Sequence, residues 1–312
     1  MTKYQAVGVG NAIVDVISQC DDSFLSRMGI DKGVMQLIDE ERGEFLYGAM
    51  ENRTQMPGGS AANTIAGLGA LGLSTAFIGR VRDDELGRYY ASSLTDVGTT
   101  FVNEPVAGGE GPTSRSMIFV SPDGERSMNT YLGISTDLGP DDVPDEVAGG
   151  AQLLFLEGYL YDKPQGKEAF LAAARACRAG GGRAAISLSD PFCVDRHRDD
   201  FRQLVRELDI VFGNEHEWKS LYQTEDLGAA LEQAAAESGL IVCTRSGHDV
   251  VVVEGDQSVS VPVQEVVPVD ATGAGDQFAA GFLYGVATGQ TLEVSGRMGC
   301  IAAAEVIGHY GA

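Results

Sequence analysis

A glycine-rich segment that runs into a helical pattern carries the strongest chemical signal in the sequence. It occupies residues 269–278 and reads VDATGAGDQF. Gly273 and Gly275 can adopt backbone conformations closed to other residues, so the chain can turn sharply and aim its amide N–H groups at one point. Because a helix begins there, its dipole adds partial positive charge. The segment therefore predicts an anion hole that would suit phosphate oxygens.

Asp276 lies in the first turn of that predicted helix, beside the anion hole. A carboxylate in this place can take a proton from an attacking hydroxyl while the amides stabilise the developing charge. The segment thus indicates a general base for group transfer to an alcohol. The alternative is structural: Asp276 would only cap the helix, and the glycines would only form a tight turn.

A second segment, QMPGGSAAN at residues 55–63, has the composition of a hydroxyl-binding turn. The adjacent glycines Gly58 and Gly59 let the backbone approach a ligand closely, and Ser60 would cap the helix that follows. Asn63, one turn into that helix, can both donate and accept hydrogen bonds. The combination suits a polyol better than a charged ligand, although an ordinary turn could have the same residues.

A third segment, GNAIVD at residues 10–15, follows the first predicted strand. Open α/β sheets bind ligands just beyond the carboxyl ends of their strands. Asp15 could therefore accept hydrogen bonds from two vicinal hydroxyls of a sugar, with Asn11 as a further substrate contact. A simple turn residue is the alternative for Asp15.

A fourth segment, FGNEHE at residues 212–217, places Asn214 and Glu217 three residues apart at a helix start. Both side chains can face one point, and such oxygen ligands suit Mg²⁺, usually through its water molecules. Ordinary polarity of a surface helix is the alternative. No G-x-x-x-x-G-K-[ST] motif occurs, and a G-x-G-x-x-G match at residues 67–72 lies inside a helical pattern. These observations exclude a P-loop and argue against a dinucleotide site.

Short β-type runs alternate with helical patterns through most of the chain, which predicts an α/β fold with a mainly parallel sheet flanked by helices. The strands are predicted at residues 6–10, 75–79, 153–156, 184–188, 210–212 and 240–243, with a hairpin of strands 250–253 and 259–263. The helices are predicted at residues 60–71, 85–97, 167–179, 201–207, 215–222, 227–237, 276–288 and 292–307.

Two stretches, residues 13–38 and 99–132, depart from this alternation of strands and helices, because their strands lack crossover helices. Such strands predict a small β-sheet appended to the main layer, and a sheet of this kind over an active site would act as a lid. We therefore predict a single domain over residues 1–312, with lid strands inserted from these two stretches.

The composition limits the partners. The 312 residues include 22 basic and 45 acidic side chains, a formal charge of −23, which argues against nucleic acid or an anionic membrane as a partner. A polyanionic ligand must then be held locally, by backbone amides, a helix start and a metal ion. The sequence has no apolar run long enough to span a membrane, no secretory signal, and five scattered cysteines. It therefore predicts a cytoplasmic protein.

Taken in order, the four segments resemble the PfkB or ribokinase-like family of carbohydrate and nucleoside kinases, over residues 5 to about 310. The resemblance implies a ribokinase-like fold, in which a central mostly parallel sheet lies between helices and carries a β-lid. It also implies transfer of the γ-phosphoryl group of ATP to a hydroxymethyl group, with Mg²⁺ as cofactor. The implied roles are a base at Asp276, an anion hole at Gly273, Ala274 and Gly275, substrate contacts at Asn11, Asp15, Gly58, Gly59 and Asn63, and magnesium at Asn214 and Glu217.

The resemblance extends to the nucleotide. The segment TRSG is similar to the family's nucleotide segment, which implies contacts from Thr244, Arg245 and Gly247, with Thr272 as a further one. Arg245 stands where many sugar kinases have a small residue, so it would either reach a phosphate, as in some adenosine kinases, or be a surface charge. Many members also bind a monovalent cation such as K⁺ through backbone carbonyls near Asp270 and Thr272.

The glycine pair followed by Ser60 and Asn63 resembles adenosine kinases, whereas ribokinases typically have a lysine in place of Ser60. The segments at residues 10–15 and 129–133 are similar to bacterial members called adenosine or nucleoside kinases. The resemblance thus favours a purine nucleoside, adenosine first, phosphorylated at its 5′-hydroxyl by a monomer or homodimer. The alternatives are a kinase of ribose or a hexose derivative and a non-catalytic sensor of sugars or nucleosides.

Overall fold

The computed structural model describes residues 3–309 and 311. Within these residues the chain forms fourteen strands and twelve α-helices. The strands are β1 Tyr4–Val9, β2 Ile13–Gln19, β3 Met35–Leu37, β4 Thr54–Gly58, β5 Thr75–Ile78, β6 Thr99–Phe101, β7 Ser114–Val120, β8 Arg126–Tyr131, β9 Ala151–Glu157, β10 Arg183–Ser187, β11 Ile210–Asn214, β12 Leu240–Arg245, β13 His248–Glu254 and β14 Gln257–Val261. The helices are α1 Asp22–Met28, α2 Glu40–Ala49, α3 Ser60–Ala70, α4 Glu85–Asp96, α5 Asp145–Ala148, α6 Pro164–Ala179, α7 Pro191–Arg196, α8 Arg198–Glu207, α9 Glu215–Tyr222, α10 Leu227–Glu237, α11 Ala274–Ala287 and α12 Leu292–Val306.

Nine strands form the large sheet, in the order β14-β13-β12-β11-β10-β9-β1-β5-β6. The strands from β12 to β6 run parallel, and β13 and β14 form an antiparallel hairpin at one edge. Leu153 and Phe155 of β9 share a core with α3 and α11, whereas Leu154 and Leu156 share the opposite core with α6. A parallel sheet covered on both faces explains the nearly continuous apolar runs of its strands. Its strands end along one edge, where ligands bind in such folds.

Five strands form the second sheet, in the order β3-β8-β7-β2-β4. Residues aligned side by side on neighbouring strands share a face. One aligned row consists of Asp15, Ser116, Thr130 and Leu37. The opposite face packs against α1, where the Phe24 and Phe119 ring centroids lie 5.3 Å apart. The face that carries Asp15 is called the inner face below.

The predicted fold class is confirmed, because a large, mostly parallel sheet lies between helices and a smaller sheet accompanies it. For the strands and helices whose ranges were predicted, the predicted and observed boundaries differ by no more than three residues. None of the helices in the described part of the chain is long and apolar enough to span a membrane.

Four elements, including α2 and β4, are absent from the prediction, and one further strand, β6, lies in a different sheet. In α2 only Gly43 and Leu46 are buried, so its apolar pattern is weak. β4 contains Pro57 and ends at Gly58, residues that normally mark a turn, and it is tolerated as an edge strand beside β2. β6 comes from the stretch 99–132 but pairs with β5 in the large sheet. The short helices α5 and α7 are also missing from the prediction.

Candidate active site

The anion-hole segment forms the turn that opens α11. Gly273 is the N-cap residue and has a φ of +75°, a left-handed conformation that strains residues with a side chain. The helix begins at Ala274, so its first amides lack partners inside the helix. A Cβ added at Gly275 would meet no atom within 4 Å. Gly273, Ala274 and Gly275 therefore form a helix start with open space for an anion.

The Asp276 carboxylate is held between α11 and α3. Ser60 Oγ donates a hydrogen bond to Oδ1 at 2.6 Å, and Asn63 Nδ2 donates to Oδ2 at 3.0 Å. Thr64 Oγ1 donates to the Asp276 backbone carbonyl at 3.2 Å. Because Gly273 is the N-cap residue of α11, the Asp276 side chain is not its cap. The carboxylate is directed at α3, where it is fixed by two side chains.

The electrostatic setting of Asp276 suits a base. Burial raises the pKa of Asp276 above its ordinary value, and the hydrogen bonds from Ser60 and Asn63 partly oppose this rise. A carboxylate with a raised pKa binds a proton more strongly near neutral pH, which makes it a better general base. The two donors also hold the carboxylate in one orientation, as proton transfer in a defined direction requires.

The second glycine segment forms the start of α3. Gly59 is its N-cap residue, with a φ of +100°, and a Cβ there would lie 2.2 Å from the Asn11 carbonyl oxygen. Ser60, predicted to cap the helix, is its first residue, and its hydroxyl bonds to Asp276. Asn63 lies one turn further. The segment is therefore more than an ordinary turn, because it supplies both side chains that hold Asp276.

Asp15 stands on the inner face of the second sheet, close to the start of α11. A Cβ added at Gly58 would lie 2.8 Å from Asp15 Cγ, so a glycine is required beside this carboxylate. Burial raises the pKa of Asp15 to about 7; Arg126 opposes the rise and Asp276 adds to it. Ser60, which donates to Asp276, follows Gly58 and Gly59 in the chain. The structure therefore brings Asp15, Gly58 and Asp276 to one place.

A buried carboxylate, Glu157, supports this place from beneath. Its Oε1 accepts hydrogen bonds from Asn11 N at 2.8 Å and Asn11 Nδ2 at 2.7 Å, and its Oε2 accepts from Ala61 N at 2.8 Å. Ser135 Oγ donates to Asn11 Oδ1 at 2.9 Å. Each polar end of the Asn11 side chain thus has one protein partner, and its predicted contact with a substrate stays a prediction. A single acidic residue at a strand end carries no motif, so Glu157 was not predictable.

Glu157→Gln is expected to destabilise the protein, because the new NH₂ group must face an N–H group of Asn11 or Ala61. A buried donor without an acceptor costs about 1–3 kcal/mol, and the free energy of unfolding in urea should fall by about that amount. The measurement belongs above the pKa of Glu157, which burial raises to about 7. The exposed control Glu146→Gln should change little. Equal stability of the two variants would show that the Glu157 hydrogen bonds contribute nothing measurable.

Asn214 and Glu217 form a reciprocal capping box at the start of α9. Asn214 Oδ1 accepts from Glu217 N at 3.0 Å, and Glu217 Oε2 accepts from Asn214 N at 2.8 Å. Asn214 Nδ2 also donates to Glu217 Oε1 at 2.6 Å. Glu217 is 4% exposed. Burial raises its pKa to about 7; the hydrogen bond from Asn214 N opposes this rise, and the charge of Asp190 adds to it. Glu217 is therefore not an ordinary polar residue of an exposed helix face.

The same edge of the large sheet is where the sequence predicts a hydrated magnesium ion. Asp190 follows β10 and Glu217 follows the neighbouring strand β11, so two carboxylates meet there. Oxygen donors with negative charge are what Mg²⁺ prefers. Among residues 3–309 and 311, no three His, Cys, Asp or Glu side chains lie close enough together to hold a metal directly. That Asn214 and Glu217 act on Mg²⁺ through its water molecules stays a prediction.

Glu217→Gln is expected to raise the Mg²⁺ concentration for half-maximal rate by about tenfold, as losses in an outer coordination shell commonly do. A neutral side chain no longer attracts the hydrated cation, whereas acceptor affinity measured without ATP should stay the same. Glu225→Gln, at an exposed position, is the matched control. An unaltered magnesium dependence would leave Glu217 with the capping role alone.

The predicted nucleotide segment lies beside these residues. Thr244 of β12 is aligned with Asn214 of β11. Arg245 Nε donates to Glu215 Oε2 at 3.3 Å, so its charge is drawn to the start of α9. Gly247 is exposed in the turn that follows. The predicted nucleotide and magnesium residues therefore share one edge of the sheet.

Thr272 lies where the second sheet meets the anion-hole loop. Arg126 of β8 forms an ion pair with Asp270 and donates to Thr272 Oγ1 at 2.9 Å. Its Nε and Nη2 atoms are buried and have no hydrogen-bond partner in the described part of the chain. Arg126 was not among the predicted site residues. Its only signal is an arginine on a predicted lid strand of a chain with few cations.

Comparison with known proteins establishes the family. The profile of the pfkB family carbohydrate kinases matches residues 30–312. This chain is a member of the pfkB family. The predicted enzyme class, a pfkB-family kinase, is therefore confirmed.

Solved structures and curated sequences agree on this kinase class but differ in the acceptor that they name. Adenosine kinase from Sinorhizobium meliloti is 47% identical, with a TM-score of 0.91, over 99% of this chain and 95% of that one. A probable sugar kinase from Rhizobium etli CFN 42 is 45% identical, with a TM-score of 0.91, over 100% and 95%. A fructokinase from Klebsiella pneumoniae is 29% identical over 81% of this pfkB kinase and 82% of the relative.

Proposed function

We propose that this pfkB kinase transfers the γ-phosphoryl group of ATP to the 5′-hydroxyl of a purine nucleoside, with adenosine as the first candidate. The observation that carries the proposal is a group of exposed apolar side chains on the inner face, the same face that carries Asp15. The adenosine kinase of Sinorhizobium meliloti, 47% identical over 99% of the chain, supports the same acceptor.

The apolar surface belongs to β3. Met35 and Leu37 are 46% and 57% exposed. Leu37 lies in the same row as Asp15, and Met35 lies in the row that contains Ile17 of β2. Four adjacent strands span about 14 Å, so a ligand held by its ribose at Asp15 has apolar surface beside it for a flat base. A bare sugar would leave that surface in water.

The residues supply the steps of the transfer. Asp276 takes the proton of the 5′-hydroxyl as that oxygen attacks the γ-phosphorus and the bond to the leaving ADP breaks. The amides of Gly273, Ala274 and Gly275 bind the phosphoryl oxygens during transfer. Asp15 accepts hydrogen bonds from the ribose hydroxyls. When bound with ATP, Mg²⁺ would neutralise phosphate charge beside Asn214 and Glu217.

The proposed place of action is the cytoplasm, where ATP is supplied. All five cysteines are free thiols, as expected in a compartment where disulfides do not persist.

An ADP-release assay with ATP and Mg²⁺ over adenosine, guanosine, cytidine, ribose and fructose tests the proposal. Adenosine should have the highest kcat/KM. Ribose or fructose ahead of every nucleoside would establish the sugar-kinase alternative. Adenosine binding without ADP release from any acceptor would make the protein a sensor.

A further inference from the structure

Arg126 joins two distant parts of the chain, β8 of the second sheet and the loop before α11. Both oxygens of the Asp270 carboxylate accept protein donors. Oδ1 accepts from Thr272 N at 3.0 Å and Thr272 Oγ1 at 2.7 Å. Oδ2 accepts from Arg126 and from Gly311 N at 3.1 Å. The ion pair is enclosed, because the Arg126 side chain is 11% exposed and that of Asp270 is 6% exposed.

Two backbone carbonyls near this ion pair also accept hydrogen bonds. Ile307 O accepts from Val269 N at 2.7 Å and from Asp270 N at 3.3 Å, and Ala271 O accepts from Ala274 N at 3.3 Å. A K⁺ ion near Asp270 would need such oxygens turned toward it. It would also lie beside a buried guanidinium, which repels it. The residues therefore do not fit the monovalent cation that the family resemblance implies.

We propose that the Arg126 guanidinium takes the place of a monovalent cation at the anion-hole loop, so that this kinase needs no K⁺. Arg126 neutralises Asp270, and the hydrogen bonds of Thr272 and Gly311 hold the carboxylate in position. The positive charge is thus supplied by the second sheet and not by the solvent.

The first test compares K⁺ with choline at equal ionic strength, with ATP supplied as its Tris salt. The kcat/KM of the wild-type enzyme should differ by less than about threefold between the two salts. Its melting temperature should not rise with K⁺, because a ligand stabilises a protein only by binding its native state. A kcat/KM that rises saturably with K⁺ beyond the threefold limit, or a melting temperature that rises with K⁺, would overturn the proposal. Only the rate measurement rests on the proposed function, so the thermal measurement decides even if no acceptor is phosphorylated.

The second test removes the internal cation. Arg126→Met in choline should lose about tenfold or more in kcat/KM, and KCl should restore at least about threefold, because the Asp270 carboxylate loses its cationic partner and can attract K⁺ instead. Arg53→Met, at an exposed position, should behave as wild type in both salts. A full rate in choline, or a loss that KCl does not reverse, would contradict the replacement of K⁺ by Arg126. If Arg126→Met does not fold, Arg126→Lys keeps the charge and should remain insensitive to K⁺; a K⁺ response there would overturn the proposal.

Discussion

Asp276→Asn is expected to lower kcat by about 10²–10⁴-fold while the protein still folds and binds ATP. The amide has the shape of the carboxylate and can still accept a hydrogen bond from Ser60 or Asn63, which hold this side chain at 2.6 and 3.0 Å. It cannot accept the proton of the attacking hydroxyl. The loss should therefore appear in kcat and leave ATP affinity nearly unchanged, as measured by initial rates and by calorimetric titration with ATP.

The pH profile separates loss of the base from structural damage. Because burial raises the pKa of Asp276, the wild-type kcat should fall on the acid side as the carboxylate becomes protonated. Asp276→Asn should lack that acid limb. Asp256→Asn, in the exposed turn between β13 and β14, is the matched control and should retain the full rate. A loss of less than about fivefold at saturating substrate would remove Asp276 as the base.

Asp15→Ala is expected to lower kcat/KM for adenosine by about 10²-fold or more, because hydrogen bonds to a charged acceptor contribute about 1.5–3 kcal/mol each. The wild-type enzyme should in turn discriminate against 2′-deoxyadenosine, which offers Asp15 one hydroxyl in place of two. A site built to bind a hydroxyl rejects an analogue that lacks it more strongly than an apolar pocket rejects a missing methylene. In Asp15→Ala the preference for adenosine over its deoxy analogue should disappear.

The same residue predicts a pH dependence of substrate binding. Burial raises the pKa of Asp15 to about 7, so the carboxylate is lost as the pH falls through that value. The KM for adenosine should therefore rise below about pH 7 in the wild type and stay flat in Asp15→Ala. Asp96→Ala, at an exposed position of α4, controls for the loss of a charge. Equal kcat/KM values for adenosine and 2′-deoxyadenosine would exclude Asp15 from the substrate site.

The chemical segments were predictable because each is local in sequence. The glycines before Asp276 and the pair Asn214 and Glu217 carry their spacing within a few residues, and the apolar runs of a parallel sheet locate the strands that precede them. Asn214 and Glu217 contact each other in a capping box, and their predicted role at Mg²⁺ stays a prediction.

The contacts that complete the site join residues far apart in the chain, and no local pattern encodes them. Ser60 and Asp276 are separated by 216 positions, and Arg126 and Asp270 by 144. Glu157 reaches Asn11 across 146 positions. Only the packing of α3, α11 and the second sheet brings these pairs together. The segment before α3 did not indicate a strand for the same reason. It forms β4 only by pairing with β2, which lies elsewhere in the chain.

The identity of the product tests the central claim most directly. The purified enzyme, incubated with ATP, Mg²⁺ and adenosine and followed by ³¹P NMR, should form adenosine 5′-monophosphate and ADP in equal amounts. Asp276→Asn should form neither in the same time. Phosphate on another hydroxyl, ADP without a nucleoside monophosphate, or phosphorylation of ribose with adenosine left unchanged would contradict the assignment of this chain as a nucleoside kinase.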